Sequence, residues 1–163
     1  MSGAPGSGKS TIARLLGQSI GGVVIDHDVL RSTLLESDLQ FGPAARAAYQ
    51  LHTCNFQVVL DRGTELAKQQ GYHWYVECQV RDVDLLDRRL SSRDSMTSQR
   101  TGVDCAPAAA TAENGIGESE DSRAIFKRWI ENPCRPEYDN IIIVDSTGNP
   151  EMLRDHILKK IAS

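Results

Sequence analysis

The chain has 163 residues, a length that fits one domain around a single core. Its 40% apolar and 25% charged residues describe a globular chain, and a formal charge of −4 argues against a surface built for nonspecific nucleic-acid binding, while leaving room for a local basic groove. No run approaches the ~18 apolar residues of a membrane span, and no signal-peptide core follows the first residues.

The first element is a loop. Gly3-Ala4-Pro5-Gly6-Ser7-Gly8-Lys9-Ser10-Thr11 is a complete Walker A motif. Its glycines let successive backbone N–H groups converge on phosphate oxygens. Lys9 has the reach for β- and γ-phosphates, Ser10 can offer its hydroxyl to magnesium, and the helix that starts here turns its positive end toward the anion. The expected ligand is therefore a nucleoside triphosphate with magnesium. Only Met1 and Ser2 precede Gly3, so the buried strand that normally supports such a loop is missing from its usual place.

Ile12, Leu15, Leu16 and Ile20 recur at helical spacing up to Gly21-Gly22. Val23-Val24-Ile25 reads as a short buried strand ending at Asp26, and Asp28 as the cap of a helix through Leu30, Leu34 and Leu35. The carboxyl ends of strands face the ligand crevice in α/β sheets, which places Asp26, Asp28 and Arg31 on the phosphate side. Asp28 can then take a proton from an attacking hydroxyl, Arg31 can clamp an anionic acceptor, and Asp26 joins Ser10 as a metal candidate. The plain alternative is an N-cap followed by a local ion pair.

Residues 44–70 are helical in composition, with Phe56, Val59, Leu60, Gly63, Leu66 and Ala67 on one stripe. Residues 72–80 form the most β-like run, and Asp82 caps a helix bearing Val83, Leu86 and Leu90. Eight of the thirteen arginines lie between Arg81 and Arg135. Arg88, Arg89, Arg93 and Arg100 could supply lid charge to a transferring phosphoryl group, or form a solvated face paired with Asp84 and Asp87. Arg93 and Arg100 have fewer acids in helical register and are the better lid candidates. Residues 101–121 lose all Lys and Arg and read as a mobile acidic insertion within one domain spanning residues 1–163.

A helix from Ser122 carries Ile125, Trp129 and Ile130, and Pro133 and Pro136 end it. Residues 141–144 are a buried strand, residues 145–150 a turn that either borders a base pocket or merely connects, and Leu153, Ile157, Leu158 and Ile161 face the core from the last helix. The alternation predicts an α/β fold of three layers, a parallel sheet covered on both faces. Three clear strands leave that sheet incomplete against the usual five or so. Cys54, Cys78, Cys105 and Cys134 show no metal or disulfide spacing, which fits reduced thiols in a cytosolic setting. The four histidines form no triad or metal pattern.

The Asp28-x-x-Arg31 spacing behind a Walker A loop resembles small P-loop phosphotransferases of the polynucleotide-kinase, zeta-toxin and chloramphenicol-phosphotransferase types. With residues 24–32, 75–90 and 129–150, the chain as a whole looks like an AAA-type P-loop NTPase/kinase, especially of fungal kind. The resemblance implies an ATP- and magnesium-dependent kinase or hydrolase, with Asp28 as base and Arg31 holding a small-molecule or polynucleotide-end acceptor. Such proteins carry a strand before the loop and another, ending in Asp and Ser, just before the equivalent of Thr53-Cys54-Asn55; both are lacking here, and the second would bring an acid that helps hold magnesium. A nucleotide-binding protein without turnover and a simple NTP hydrolase are therefore the competing expectations.

Overall fold

The computed structural model describes residues 1–51, 57–71, 74–110, 122–137 and 139–163. In chain order the elements are α1 (Lys9–Ile20), α2 (His27–Glu36), α3 (Phe41–Leu51), α4 (Gln57–Gln69), β1 (Tyr75–Gln79), α5 (Val83–Ser91), α6 (Ser122–Glu131), β2 (Ile141–Asp145) and α7 (Pro150–Ile161). The chain is thus mixed α/β, and β1 and β2 pair in parallel with Val76 beside Ile142 and Cys78 beside Val144.

Alternation along these two strands sorts their side chains. Val76, Cys78, Ile142 and Val144 are buried with Ile12 of α1 and Ile157 of α7, and Leu16, Trp74 and Leu153 pack against them. A second cluster lies past the end of β1, where Val80, Leu86, Leu90, Val103 and Phe126 enclose Ala4 of the first loop. The loop is therefore seated on core packing. Ser2 also bridges β1 in parallel beside Glu77: its N–H donates to the Val76 carbonyl and its carbonyl accepts from the Cys78 N–H, both at 2.9 Å. One residue stands where a supporting strand was expected to be missing.

Several expectations change. The predicted strand at Val23-Val24-Ile25 does not form, and Val23 is 92% exposed. Strands persist when a neighbouring edge satisfies their N–H and C=O groups, and no strand pairs with this run among the described residues. The sheet's second face carries Tyr75, Glu77 and Gln79 level with Ile141, Ile143 and Asp145; Tyr75 and Glu77 are buried, and Ile143 is half exposed.

The long helical stretch is divided between α3, with Ala44 and Ala48 fully buried, and α4, where Leu60 is buried but Leu66 is exposed. Thr53-Cys54-Asn55, Phe56, His52, Tyr72 and His73 lie outside the described residues, as do the side chains of Val59 and Ile125. The beginning of the supposed mobile insertion belongs to the body of the fold: Val103 is fully buried and its N–H donates to Asp87 Oδ1 at 2.7 Å. Residues 111–121 lie outside the described residues. Phe126, which the helical stripe of α6 did not single out, is fully buried and meets Trp129 at 6.0 Å between ring centroids. Within the described residues, no helix is long and apolar enough to cross a membrane.

Candidate functional site

The first loop has a tightly defined backbone. Gly3 takes a φ of 139°, and a Cβ there would lie 2.2 Å from the Cys78 carbonyl oxygen, so a larger residue would push the loop off β1. Gly8 is the N-cap of α1 in the left-handed region (φ 85°), and no side chain caps the helix. The first N–H groups of α1 therefore keep their capacity for an anion. Ser7 has no exposed surface and its Oγ finds no hydrogen-bond partner among the described residues. An uncapped helix end beside an unsatisfied hydroxyl fits a phosphate group. Pro5, Gly6, Ser10 and Thr11 complete the turn into α1.

Lys9 folds back over its own loop, donating to the carbonyls of Gly3 and Ala4 at 2.9 Å each. Burial lowers its pKa from the ordinary value, while Asp28 and Asp26 act in the opposite sense and Arg93 adds to the lowering. Arg93 likewise sits low through desolvation, opposed by Asp28 and Asp26. Lys9, Asp26, Asp28 and Arg93 thus share one electrostatic neighbourhood, drawn from α1, the start of α2 and the chain after α5.

Other candidates are engaged elsewhere. Asp26, rather than Asp28, is the N-cap of α2, accepting from the Asp28 N–H at 3.0 Å, and its other oxygen lies 3.6 Å from Arg14. Arg31 is largely buried, bonded to Asp28 at 3.1 Å and to the Ser98 carbonyl, with its guanidinium 4.9 Å from the Phe41 ring centre. Arg93 donates to the Arg100 carbonyl at 3.0 Å. Arg100 turns away toward the second core cluster, donating to the Val103 carbonyl at 3.2 Å and lying 5.8 Å from the Phe126 ring centre. Among the described residues no three acidic, histidine or cysteine side chains gather as a metal site.

Sequence reasoning ranked Arg89, one of the two arginines on α5, behind Arg93 and Arg100. Its guanidinium donates to the Ser146 carbonyl at 3.0 Å and reaches the Gly6 carbonyl at 3.5 Å, tying the first loop to the turn after β2. Ser146 is itself held by the Gln79 carbonyl through both its N–H, at 2.9 Å, and its hydroxyl, at 3.0 Å. The turn at residues 145–150 consequently borders the loop at the carboxyl ends of both strands. Only the sheet register brings these residues together, so no local pattern in α5 could distinguish Arg89 from Arg88.

No family model, curated protein or solved structure matches the chain.

Proposed function

We propose that the chain binds ATP with magnesium through residues 3–11 and transfers a phosphoryl group to a hydroxyl acceptor. The supporting observation is a complete Walker A sequence that runs into the uncapped start of α1, with Lys9 under the electrostatic influence of Asp28 and Arg93. Ser2, β1 and β2 lie side by side in parallel, an arrangement compatible with the strands beside a P-loop. When bound, ATP supplies the transferable phosphoryl group and Mg2+ offsets its negative charge.

The chain's own residues then have separate tasks. Loop N–H groups hold the phosphates, Lys9 exchanges the Gly3 and Ala4 carbonyls for phosphate oxygens, and Ser10 offers its hydroxyl to the cation. Asp28 takes the acceptor's proton, Arg31 steadies the acceptor, and Arg93 brings positive charge over the transferring group, with Arg100 a more remote contributor to that lid. The acceptor class is a small molecule or a polynucleotide end, and a reducing intracellular compartment suits Cys78, Cys105 and Cys134, none of which forms a disulfide.

Calorimetry with Mg-ATP tests the nucleotide site: Lys9→Ala should weaken binding by about tenfold or more, and equal affinity in wild type and variant rejects it. With labelled ATP and a panel of hydroxyl acceptors, Asp28→Asn should lower transfer by about 100-fold while sparing ATP affinity. One observation favours nucleotide binding without turnover. Asp26 gives Oδ1 to the α2 cap and holds Oδ2 3.6 Å from Arg14, so a cation would compete with both for it. ATP binding with neither transfer nor hydrolysis would select that reading.

A further inference from the structure

One short piece of chain satisfies both groups of the acceptor side. Asp28 accepts from Arg31 at Oδ1 and from the Gln99 side-chain amide at Oδ2, the latter at 3.0 Å. Arg31 donates in turn to the Ser98 carbonyl. Ser98 is fully buried, with its hydroxyl donating to the Asp28 carbonyl at 3.0 Å and accepting from Ser32 Oγ at 2.8 Å. The Gln99 amide is held from behind as well, because its oxygen accepts from the Met96 N–H at 3.2 Å.

The chemistry of these contacts follows what an acceptor would bring. A hydroxyl approaching Asp28 offers a hydrogen-bond donor, and an oxygen beside it on the acceptor offers Arg31 an acceptor. Gln99 presents the donor and Ser98 the acceptor. We propose that residues 96–99 form an intrachain stopper that imitates the phosphoryl acceptor and keeps the acceptor side of the site closed. This rests on the phosphotransfer reading for its purpose, but the closure itself is a property of Asp28, Arg31, Ser98 and Gln99.

The stopper also constrains the substrate. Asp28 keeps 32% of its side-chain surface in solvent, so a route to it exists, whereas Arg31 keeps 11%. A molecule with a hydroxyl alone replaces Gln99 and leaves Arg31 bound to Ser98. One that carries a hydroxyl next to an anionic or carbonyl oxygen replaces both contacts and leaves the segment held to α2 through the Ser98 hydroxyl.

Two variants test this. Gln99→Ala deletes the donor, and Gln99→Glu keeps the side chain's shape but sets a second carboxylate against Asp28. Peptide mass mapping of phenylglyoxal modification, without nucleotide, reads access to Arg31; both variants should label it about tenfold faster than wild type, the weight of a hydrogen bond to a charged group. Unchanged labelling in variants that melt as cooperatively as wild type overturns the stopper. With Mg-ATP and water as the only acceptor, hydrolysis by Gln99→Ala should rise by a similar factor, and adding Asp28→Asn should remove the rise. A fall in hydrolysis with ATP binding intact also overturns it, because a stopper cannot assist the reaction it blocks. If wild type fails to bind Mg-ATP, the phosphotransfer reading falls, and Arg31 labelling still decides whether the segment closes over α2.

Discussion

Glu77 lies in the middle of β1 with only 1% of its side chain exposed, and Arg135 grips it with two hydrogen bonds of 2.6 and 3.1 Å. Desolvation pushes this carboxyl up, but Arg135, the Gln79 amide and the charge of Arg135 outweigh it and hold the pKa below the ordinary 4.5. A depressed native value means that the pair's stabilisation is complete above the ordinary value and is lost as pH falls through the lower native one. Acid titration of thermal stability should therefore show a loss below about pH 4.5 that Glu77→Gln reduces.

The two ends of this pair are not equivalent. Arg135→Ala strands a buried carboxylate and should cost about 3 kcal/mol. Glu77→Gln leaves an arginine that can turn to water, and about 1–2 kcal/mol is expected in a denaturant titration. Cysteine chemistry offers a separate check at this scale. Burial raises the Cys78 thiol to about 11, with Lys9 opposing, so iodoacetamide near pH 8 should modify exposed Cys105 and spare Cys78 in the native protein.

Among the elements, α5 and α7 state their starts plainly. Asp82 accepts from the N–H groups of Asp84 and Leu85 at 3.0 Å each, and Asn149 does the same for Glu151 and Met152 ahead of Pro150. Both caps are visible in the sequence because short polar side chains bond their own following backbone. Replacing Asp82 by Ala should cost about 1 kcal/mol in denaturant unfolding. That helix also carries the link from Arg89 to the first loop, so weakening its cap should loosen the loop as well. Backbone hydrogen exchange of residues 6–9 in Asp82→Ala, faster than in wild type, would register the coupling.

At the scale of the whole molecule, the first loop rests on the two strands paired among the described residues and on the core beside them. Ser2 supplies one bridge, and Ala4 anchors the turn in the cluster around Leu86, Leu90 and Phe126. Phe126→Ala should cost about 3–5 kcal/mol, a large share of a typical domain's 5–15 kcal/mol. Val23 gives the opposite expectation. Being 92% exposed, it should tolerate Val23→Thr within about 0.5 kcal/mol. A loss of about 2 kcal/mol would instead show that this run is packed as a buried strand.

Neighbours within a few residues encode the glycine turns of the first loop, the caps at Asp82 and Asn149, and the strands β1 and β2: glycines where φ is positive, capping oxygens before helices, β-branched runs in strands. The same local reading overreached at Val23-Val24-Ile25, since an apolar run becomes a strand only beside another strand. Tertiary structure alone decided that Arg89 ties the loop to Ser146, that Arg135 neutralises Glu77, and that Gln99 sits on Asp28. Those partners stand 57, 58 and 71 residues apart in the chain, and their pairing follows from where the sheet and helices bring the backbone, which short-range pattern does not carry.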